Sequence, residues 1–289
     1  MKRIFTIFFL STITLVGYSQ SPFGKSPWEV GIHAGHSVMV GDLGGGGSDV
    51  SPFSPDNYDF TSAMGLAGIH ARYKLHPRFA INGSFQGGYL SSNDKNSTSE
   101  SIQKRNLNHR TTIYELAITP EFYFIKDGEV AGMRNKFSAY IYGGISLIYF
   151  NPKMKLDDEY LAMHDWNLEG KDFSRITAGV PMGIGVKYAL NRKWTLGYKV
   201  NMVYTFTDYL DGVSDSWAAY EDVEGDDAQI AYSRFNGAEG KTRGNPDTKD
   251  MYMTHYLSLT YRFDMGEVRR SDFYHFFDFW LSRPGRKKF

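Results

Sequence analysis

Apolar and polar side chains alternate with a period of two along residues 194–207. The even-numbered positions from Trp194 to Phe206 are all apolar or aromatic, and the odd-numbered positions are polar or glycine apart from Val203. A period of two places successive side chains on opposite faces of a β-strand. Residues 175–190 alternate in the same way, and the short segment 190–193 between the two stretches predicts a β-hairpin.

Six further stretches follow the same rule less perfectly, at 28–40, 63–75, 79–90, 112–125, 137–150 and 252–263. Each stretch has about 12 to 16 residues, which exceeds the five or six that are usual for a strand in a soluble protein. A tilted strand that crosses a bilayer needs about 9–11 residues. Aromatic side chains gather near the strand ends, as interfacial girdles require: Trp28, Tyr73, Tyr89, Phe124, Phe137, Tyr149, Trp194, Phe206 and Phe263. The pattern predicts an all-β fold, an eight-stranded antiparallel transmembrane β-barrel over residues 21–264.

The connections between these stretches alternate in length. Segments 76–78, 126–136 and 190–193 are short, whereas 41–62, 91–111, 151–174 and 208–251 are long and polar. Outer-membrane barrels have short periplasmic turns and long outer loops. The alternative is a soluble antiparallel sandwich or lipocalin-like barrel, which would hide the aromatic face inside.

The polar face of the predicted strands carries charges of both signs. Besides His33 and His70, these residues are Glu29, Arg72, Lys74, Glu115, Glu121, Lys187, Lys199 and Arg262. An eight-stranded barrel is only wide enough for its own side chains, and an unpaired buried charge is costly. We therefore predict a salt-bridged, plugged interior without conductance; the alternative is a proton or ion path through these residues.

Both ends of the chain differ from the predicted barrel. Residues 1–20 have Lys2 and Arg3, then an apolar run, which is typical of a secretory signal peptide cleaved after about Gln20. The alternative, a membrane anchor, needs about 20 apolar residues. Residues 265–289 predict an amphipathic helix with a basic end, because its apolar side chains recur every three or four positions: Phe273, Phe276, Phe277, Trp280 and Leu281. These are candidate partner contacts, and the tail could lie on the inner leaflet, dock into a partner's groove or cap the barrel base.

The amino-acid composition excludes several classes of protein and site. The chain has 289 residues, 32 basic and 32 acidic side chains and no cysteine, which argues against a nucleic-acid binder and excludes disulfides and thiolate sites. A mean hydropathy of −0.40 argues against a helical membrane protein. Localisation in the outer membrane is the expectation that remains.

Few residue patterns in the sequence indicate a catalytic, cofactor or metal site. The glycine-rich segment 41–47 lacks the spacing of a phosphate-binding loop, and the acidic segment 221–227 lacks that of an EF-hand. His36 and Ser37 are adjacent, but neighbours on a strand face opposite sides. We expect no enzyme, no cofactor, no metal site, no nucleic-acid partner and no small-molecule substrate.

Four segments carry a family resemblance: Trp28 to Gly45, Tyr140 to Lys153, Val180 to Tyr188, and the run Thr207-Asp208-Tyr209-Leu210-Asp211-Gly212-Val213-Ser214 with the three residues before it. Together they resemble the PorG-type outer-membrane barrels of the Bacteroidota. The resemblance implies a non-enzymatic component of the type IX protein secretion system, associated with its periplasmic ring proteins. The alternatives are a surface adhesion or ligand-binding barrel acting through its long loops, and a small-solute channel.

Overall fold

The computed structural model describes residues 28–40, 60–97, 100–105, 107–127, 129–130, 133–157, 159–235 and 237–263. The predicted signal peptide and the predicted C-terminal helix, with its five candidate partner contacts, lie outside the described residues. In the described part of the chain, no helix has both the length and the apolar character needed to cross a membrane.

Strands account for most of the described residues. They are β1 (Trp28–Val40), β2 (Met64–His76), β3 (Phe79–Asn93), β4 (Asn108–Ile125), β5 (Glu129–Val130), β6 (Met133–Arg134), β7 (Phe137–Gly143), β8 (Ile145–Leu156), β9 (Glu159–Ala162), β10 (Ile176–Ala189), β11 (Trp194–Thr205) and β12 (Met251–Arg262). Two short α-helices, Glu100–Arg105 and Asp226–Arg234, and three 3-10 turns, Phe60–Ser62, Asp94–Asn96 and Tyr220–Asp222, lie in the connections.

The long strands form a closed antiparallel ring with eight positions. Each position pairs with the next one along the chain, and β1 pairs with β12 along its length, from Glu29 opposite Arg262 to Val40 opposite Met251. β7 and β8 together fill one position, because both lie between β4 and β10. The predicted all-β, eight-stranded antiparallel barrel is therefore confirmed.

Gly144 separates β7 from β8. A Cβ atom at this residue would lie 2.1 Å from the carbonyl oxygen of Ile118 on β4. The Gly144 amide donates a hydrogen bond to the carbonyl oxygen of Pro181 on β10 (2.9 Å). The backbone thus approaches β4 more closely than any residue with a side chain would allow, and one wall strand is divided in two.

The two faces of the wall follow the alternation in the sequence. Ile32, Ile69, Ile145 and Ile184 are exposed on the outer face, whereas Glu29 and Glu121 are buried inside. The aromatic face therefore points outward, which is the opposite of the soluble sandwich or lipocalin-like alternative.

The barrel has a turn end and a loop end. The turn end holds Trp28, Arg262 and the turns 77–78 and 190–193, and the connection 126–136 there contains the small β5–β6 hairpin. At the loop end, β3, β4 and β8 extend beyond the predicted bounds, to Asn93, from Asn108 and to Leu156. Part of the predicted loop sequence thus continues the wall above the barrel.

Candidate functional site

The base of the lumen, at the turn end, is organised around one carboxylate. Glu29 on β1 lies 2.8 Å from Lys74 Nζ and 3.3 Å from Arg72 Nη1 on β2, 3.0 Å from Lys187 Nζ on β10, and 2.9 Å from Arg262 Nη2 on β12. All but Arg262 are almost completely buried. Four cations around one carboxylate thus join β1 to three other strands of the barrel, β2, β10 and β12.

Asp127 supplies a second carboxylate to this network from the connection after β4. It lies 2.5 Å from both Lys74 Nζ and Lys187 Nζ, and 3.5 Å from Arg262 Nη2. Burial alone would raise the pKa of Asp127, but the two lysines outweigh it and lower the pKa below its ordinary value. The turn therefore reaches back into the barrel and closes its base.

Arg72 connects the base to a tyrosine layer. Its guanidinium donates two hydrogen bonds to Glu121, Nε to Oε2 (2.6 Å) and Nη2 to Oε1 (3.1 Å). The Tyr123 hydroxyl donates to the same carboxylate (2.6 Å), and Tyr123 stacks on Tyr140 with ring centroids 4.8 Å apart. A bidentate arginine–carboxylate pair is among the stronger polar contacts, so Glu121 links the charged base firmly to the tyrosine layer.

The middle of the lumen is polar and mostly uncharged. Gln86 donates to Glu115 Oε2 (2.5 Å) and also contacts His33 Nε2 (3.1 Å). Lys199 Nζ lies 3.6 Å from the centroid of the Tyr142 ring, which gives its charge a cation–π partner. Glu115 and Lys199 therefore have separate partners in this layer.

The structure places all eight predicted interior charges on the inner face of the wall. Six of them, Glu29, Arg72, Lys74, Glu121, Lys187 and Arg262, form one network, and Glu115 and Lys199 lie in the polar layer above it. Sequence reasoning missed Asp127. It lies beyond the end of β4, after a shift in strand register between Tyr123 and Ile125, so no strand periodicity marks it as an inward residue.

An apolar septum crosses the lumen towards the loop end. It consists of Met39, Leu90, Ile113, Ile148, Phe150, Val203, Leu210 and Tyr252. Leu210 comes from the segment after β11 rather than from the wall. Its amide donates to Asp250 Oδ2 (2.8 Å), and its carbonyl accepts from Thr111 Oγ1 (2.6 Å). A loop residue is thus fixed inside the barrel mouth.

Above the septum the long loops form a packed unit, here called the loop cap. Its buried residues are Leu107, Met154, Leu156, Met163, Trp166, Leu168, Val213, Trp217, Val223, Ala228, Ala231, Tyr232 and Phe235. These residues come from three connections and from the end of β8 and have no regular period, which explains why the sequence pattern did not indicate this second core.

The run 207–214, which carries the strongest family resemblance, forms the turn beneath the loop cap. Ser214 Oγ donates to Asp208 Oδ2 (2.7 Å), and the Val213 amide donates to Asp211 Oδ1 (2.9 Å). Glu169 accepts from the Ser214 amide (3.0 Å) and from Arg243 Nη1 (2.6 Å). Burial raises the pKa of Asp208 to about 6, against the opposing effect of the Ser214 hydrogen bond. The aspartates of this run thus hold a turn in place.

The remaining candidate chemistry is dispersed. His36 is exposed on the outer face, whereas Ser37 is buried and bonds to the carbonyl oxygens of Met64 and Tyr89. Asp226 and Asp227 begin the helix Asp226–Arg234, where negative charge favours the helix dipole. Among the residues that the structure describes, no group of three or more His, Asp or Glu side chains is arranged to hold a metal ion.

The chain has the same kind of fold as several solved proteins but low sequence identity to them. A search of curated proteins finds no match. Among solved structures, the chain is similar to Neisserial surface protein A (12% identity, TM-score 0.41, 83% of this chain and 100% of that chain). It is also similar to a major outer membrane protein from Thermus thermophilus (13%, 0.38, 82% and 99%) and to the outer membrane protein OprG from Pseudomonas aeruginosa (10%, 0.37, 83% and 98%). These identities and TM-scores are too low to transfer a function.

The chain also matches a protein-family model over most of its length. A family model described as a domain of unknown function (DUF6089) matches residues 2–268. This range includes all twelve strands and the loop cap. The chain therefore belongs to the DUF6089 family.

Proposed function

We propose that the protein is a closed, non-enzymatic barrel in the outer membrane that acts as a structural component of the type IX secretion machinery and contacts its periplasmic ring. The observation that carries the proposal is a lumen crossed by charged, polar and apolar layers of side chains, inside a wall with an apolar outer face. The side chains of these layers obstruct the passage of solutes, so we expect partners to bind the outer surface of the barrel or its two ends.

The outer face supports insertion into a bilayer. Large apolar side chains are exposed all around the ring, among them Ile32, Leu116, Ile145, Ile184 and Leu257. Contiguous apolar surface of this extent is rare on soluble monomers. Exposed aromatics lie near both ends, Trp28 and Trp194 at the turn end and Tyr89 and Tyr204 at the loop end, where the interfacial girdles of a membrane barrel belong.

The orientation follows from the connections. Short turns face the periplasm and long loops face outward in barrels of this class. The turn end and the predicted C-terminal tail then face the periplasm, where a ring could contact them. The resemblance of residues 204–214 to PorG-type barrels supports the choice of the type IX machinery.

Site-specific crosslinking tests this assignment. A photo-crosslinking residue at Arg192, at the tip of the β10–β11 turn, and another at Phe277 report on the periplasmic side. The same residue at Glu239, exposed in the loop cap, is the matched control. We expect crosslinks to ring proteins from the first two positions alone. Normal secretion of type IX cargo in a deletion strain, or ring crosslinks from Glu239 only, would contradict the proposal.

A second candidate function is surface adhesion or ligand binding through the loops. The loop cap favours it, because a packed core gives the loops a fixed outer surface. Residues 217–241 supply six of the buried residues of the loop cap, and the β-bridge between Ser216 and Thr242 holds the two ends of this segment together. Their replacement by a short Gly-Ser linker therefore removes much of the cap and its outer surface. The secretion role predicts unchanged cargo export in this variant, whereas the adhesion role predicts loss of surface binding.

A further inference from the structure

A polar cleft of about 480 Å³ opens at the loop end, beside the loop cap. Its walls are the extended ends of β3, β4 and β8 together with β9 and the end of the helix Asp226–Arg234. Serine, asparagine and histidine side chains make up much of the lining, and Tyr160 and Phe235 add two aromatic rings. Small-molecule sites commonly have volumes of about 300–1,000 Å³, so the cleft is large enough for a mono- or disaccharide.

The cleft concentrates positive charge although the whole chain has none in excess. Lys95, Lys155 and Arg234 line it from three separate segments, and among the described residues of the lining Asp157 is the single acidic one. Asp157 Oδ1 lies 2.9 Å from Arg234 Nη2 in a solvent-exposed pair. Exposed pairs of this kind contribute little energy, so Arg234 can exchange this partner for a ligand anion at small cost.

The floor of the cleft is held in place before any ligand arrives. β3 and β4 pair to their ends there, with Asn93 opposite Asn108. The Lys155 amide donates to Asn108 Oδ1 (3.0 Å), and the Lys95 amide donates to Asn93 Oδ1 (3.0 Å). The backbones of both lysines are therefore tied to the same strand pair, which reduces the entropy cost of binding.

We propose that this cleft binds an anionic saccharide, a sugar that bears sulfate or phosphate groups. Lysine and arginine recognise such groups through charge-assisted hydrogen bonds. Serine hydroxyls and asparagine amides can both donate and accept hydrogen bonds, as the hydroxyls of a sugar require. A largely polar lining disfavours an apolar ligand. This inference uses the proposed function for one point only, that the cleft faces the cell exterior. Binding of the saccharide by the purified protein does not depend on a role in secretion.

Calorimetry on the purified full-length protein in detergent micelles tests the proposal with three probes. These are a trisulfated heparin disaccharide, the same disaccharide without sulfates, and inorganic sulfate. We expect measurable binding of the first that weakens as salt concentration rises, and much weaker binding of the other two. Equal binding of inorganic sulfate would overturn the saccharide assignment, and equal binding of the unsulfated sugar would overturn the role of charge.

Substitutions localise the binding. The double variant Lys95→Gln/Lys155→Gln should bind the sulfated disaccharide roughly tenfold or more weakly, because it loses two charge-assisted contacts. Lys104→Gln is the matched control; Lys104 is exposed, pairs with Glu100 and lies outside the cleft lining. Unchanged affinity in the double variant, with the barrel still folded, would contradict the proposal.

A variant with the opposite expectation separates binding from folding. Asp157→Asn removes the acidic residue of the lining and frees Arg234, so the affinity should rise by about two- to fivefold. Residue 157 has a positive φ of 52°, which asparagine tolerates. Damage to the fold cannot raise affinity. A fall in affinity for Asp157→Asn would therefore count against the proposed site.

Discussion

Lys187 Nζ lies 3.0 Å from Glu29 Oε2, although 158 residues separate these two side chains along the chain. Their strands, β10 and β1, are not neighbours in the ring, because β11 and β12 lie between them. The ion pair therefore spans the lumen. Together with Asp127, this ion pair connects opposite sides of the barrel at its turn end. The wall strands are joined there through side chains as well as through backbone hydrogen bonds.

Glu29→Gln should destabilise the barrel strongly. The substitution leaves Arg72, Lys74, Lys187 and Arg262 with one carboxylate fewer, and loss of one partner from a buried ion pair costs about 3–5 kcal/mol. Urea unfolding, followed by the shift in gel mobility that accompanies barrel unfolding, measures the effect. Glu239→Gln, at an exposed position of the loop cap, should change little. Equal stability of the two variants would mean that the network contributes nothing.

Gly144→Ala and Gly143→Ala form a matched pair at the β7–β8 junction. A Cβ atom at Gly144 would meet the Ile118 carbonyl oxygen at 2.1 Å, whereas at Gly143 the nearest atom, the Pro181 carbonyl oxygen, is 4.0 Å away. We expect Gly144→Ala to lose about 1–3 kcal/mol of stability through overpacking and Gly143→Ala to remain close to the wild type. The same unfolding measurement checks both variants, and similar losses in the two would refute the close approach of β4.

Ile184→Arg tests which surface faces lipid. Ile184 is 60% exposed in the middle of β10, and Ile230 is 49% exposed on the helix of the loop cap. Arginine on a lipid face costs about 2–4 kcal/mol near the middle of the bilayer, whereas arginine in water costs little. Folding yield in lipid vesicles should therefore fall for Ile184→Arg and stay unchanged for Ile230→Arg. The reverse order would place the barrel outside the membrane.

Asp208 should make stability depend on pH. The folded state raises the pKa of Asp208 from 3.8 to about 6, so between these values the folded chain keeps a proton that the unfolded chain releases. This contribution to stability is present below pH 3.8, falls as the pH rises towards about 6 and then levels off. Asp208→Asn should remove this fall.

The measurement compares the unfolding free energies of the wild type and Asp208→Asn at about pH 5 and about pH 7. The difference between the two proteins isolates residue 208, because the other groups titrate in both. An asparagine oxygen can still accept the hydrogen bond from Ser214. A difference that does not change with pH would show that burial leaves the Asp208 carboxyl unperturbed.

Purified protein in planar bilayers should give no stepwise conductance in concentrated KCl. The charged base, the polar middle layer and the apolar septum around Phe150 and Tyr252 each place side chains across the lumen. Stable, reproducible current steps from wild-type protein would require a path past all three layers and would rule out the closed-barrel interpretation.

Sequence periodicity was sufficient to predict the wall. Residues that alternate along a strand must face opposite sides of it, and for this reason Glu29, Lys187 and Arg262 could be assigned to the interior from their parity alone. The bounds of β1 also agree with the prediction, although the alternation is lost in its last four residues, which are all buried.

Periodicity could not predict what depends on distant contacts. The loop cap joins Trp166, from the connection between β9 and β10, to Trp217 and Tyr232, from the connection between β11 and β12, and these residues have no common repeat. The entry of Leu210 into the barrel mouth depends on Asp250 and Thr111, each far away in the sequence. The cleft, in turn, exists only because β3, β4 and β8 continue past the predicted ends of their strands.

The pairing of β1 with β12 has a consequence for how the protein is made. Glu29 and Arg262, 233 residues apart, are hydrogen-bonded across this seam. Contacts between residues so distant in sequence slow folding, and this one cannot form until the last strand has been synthesised and delivered. Until then β1 and β11 are unprotected edges that can pair with other chains. We therefore expect assembly factors to act when β1 pairs with β12, and we expect errors in assembly to arise mainly at this step.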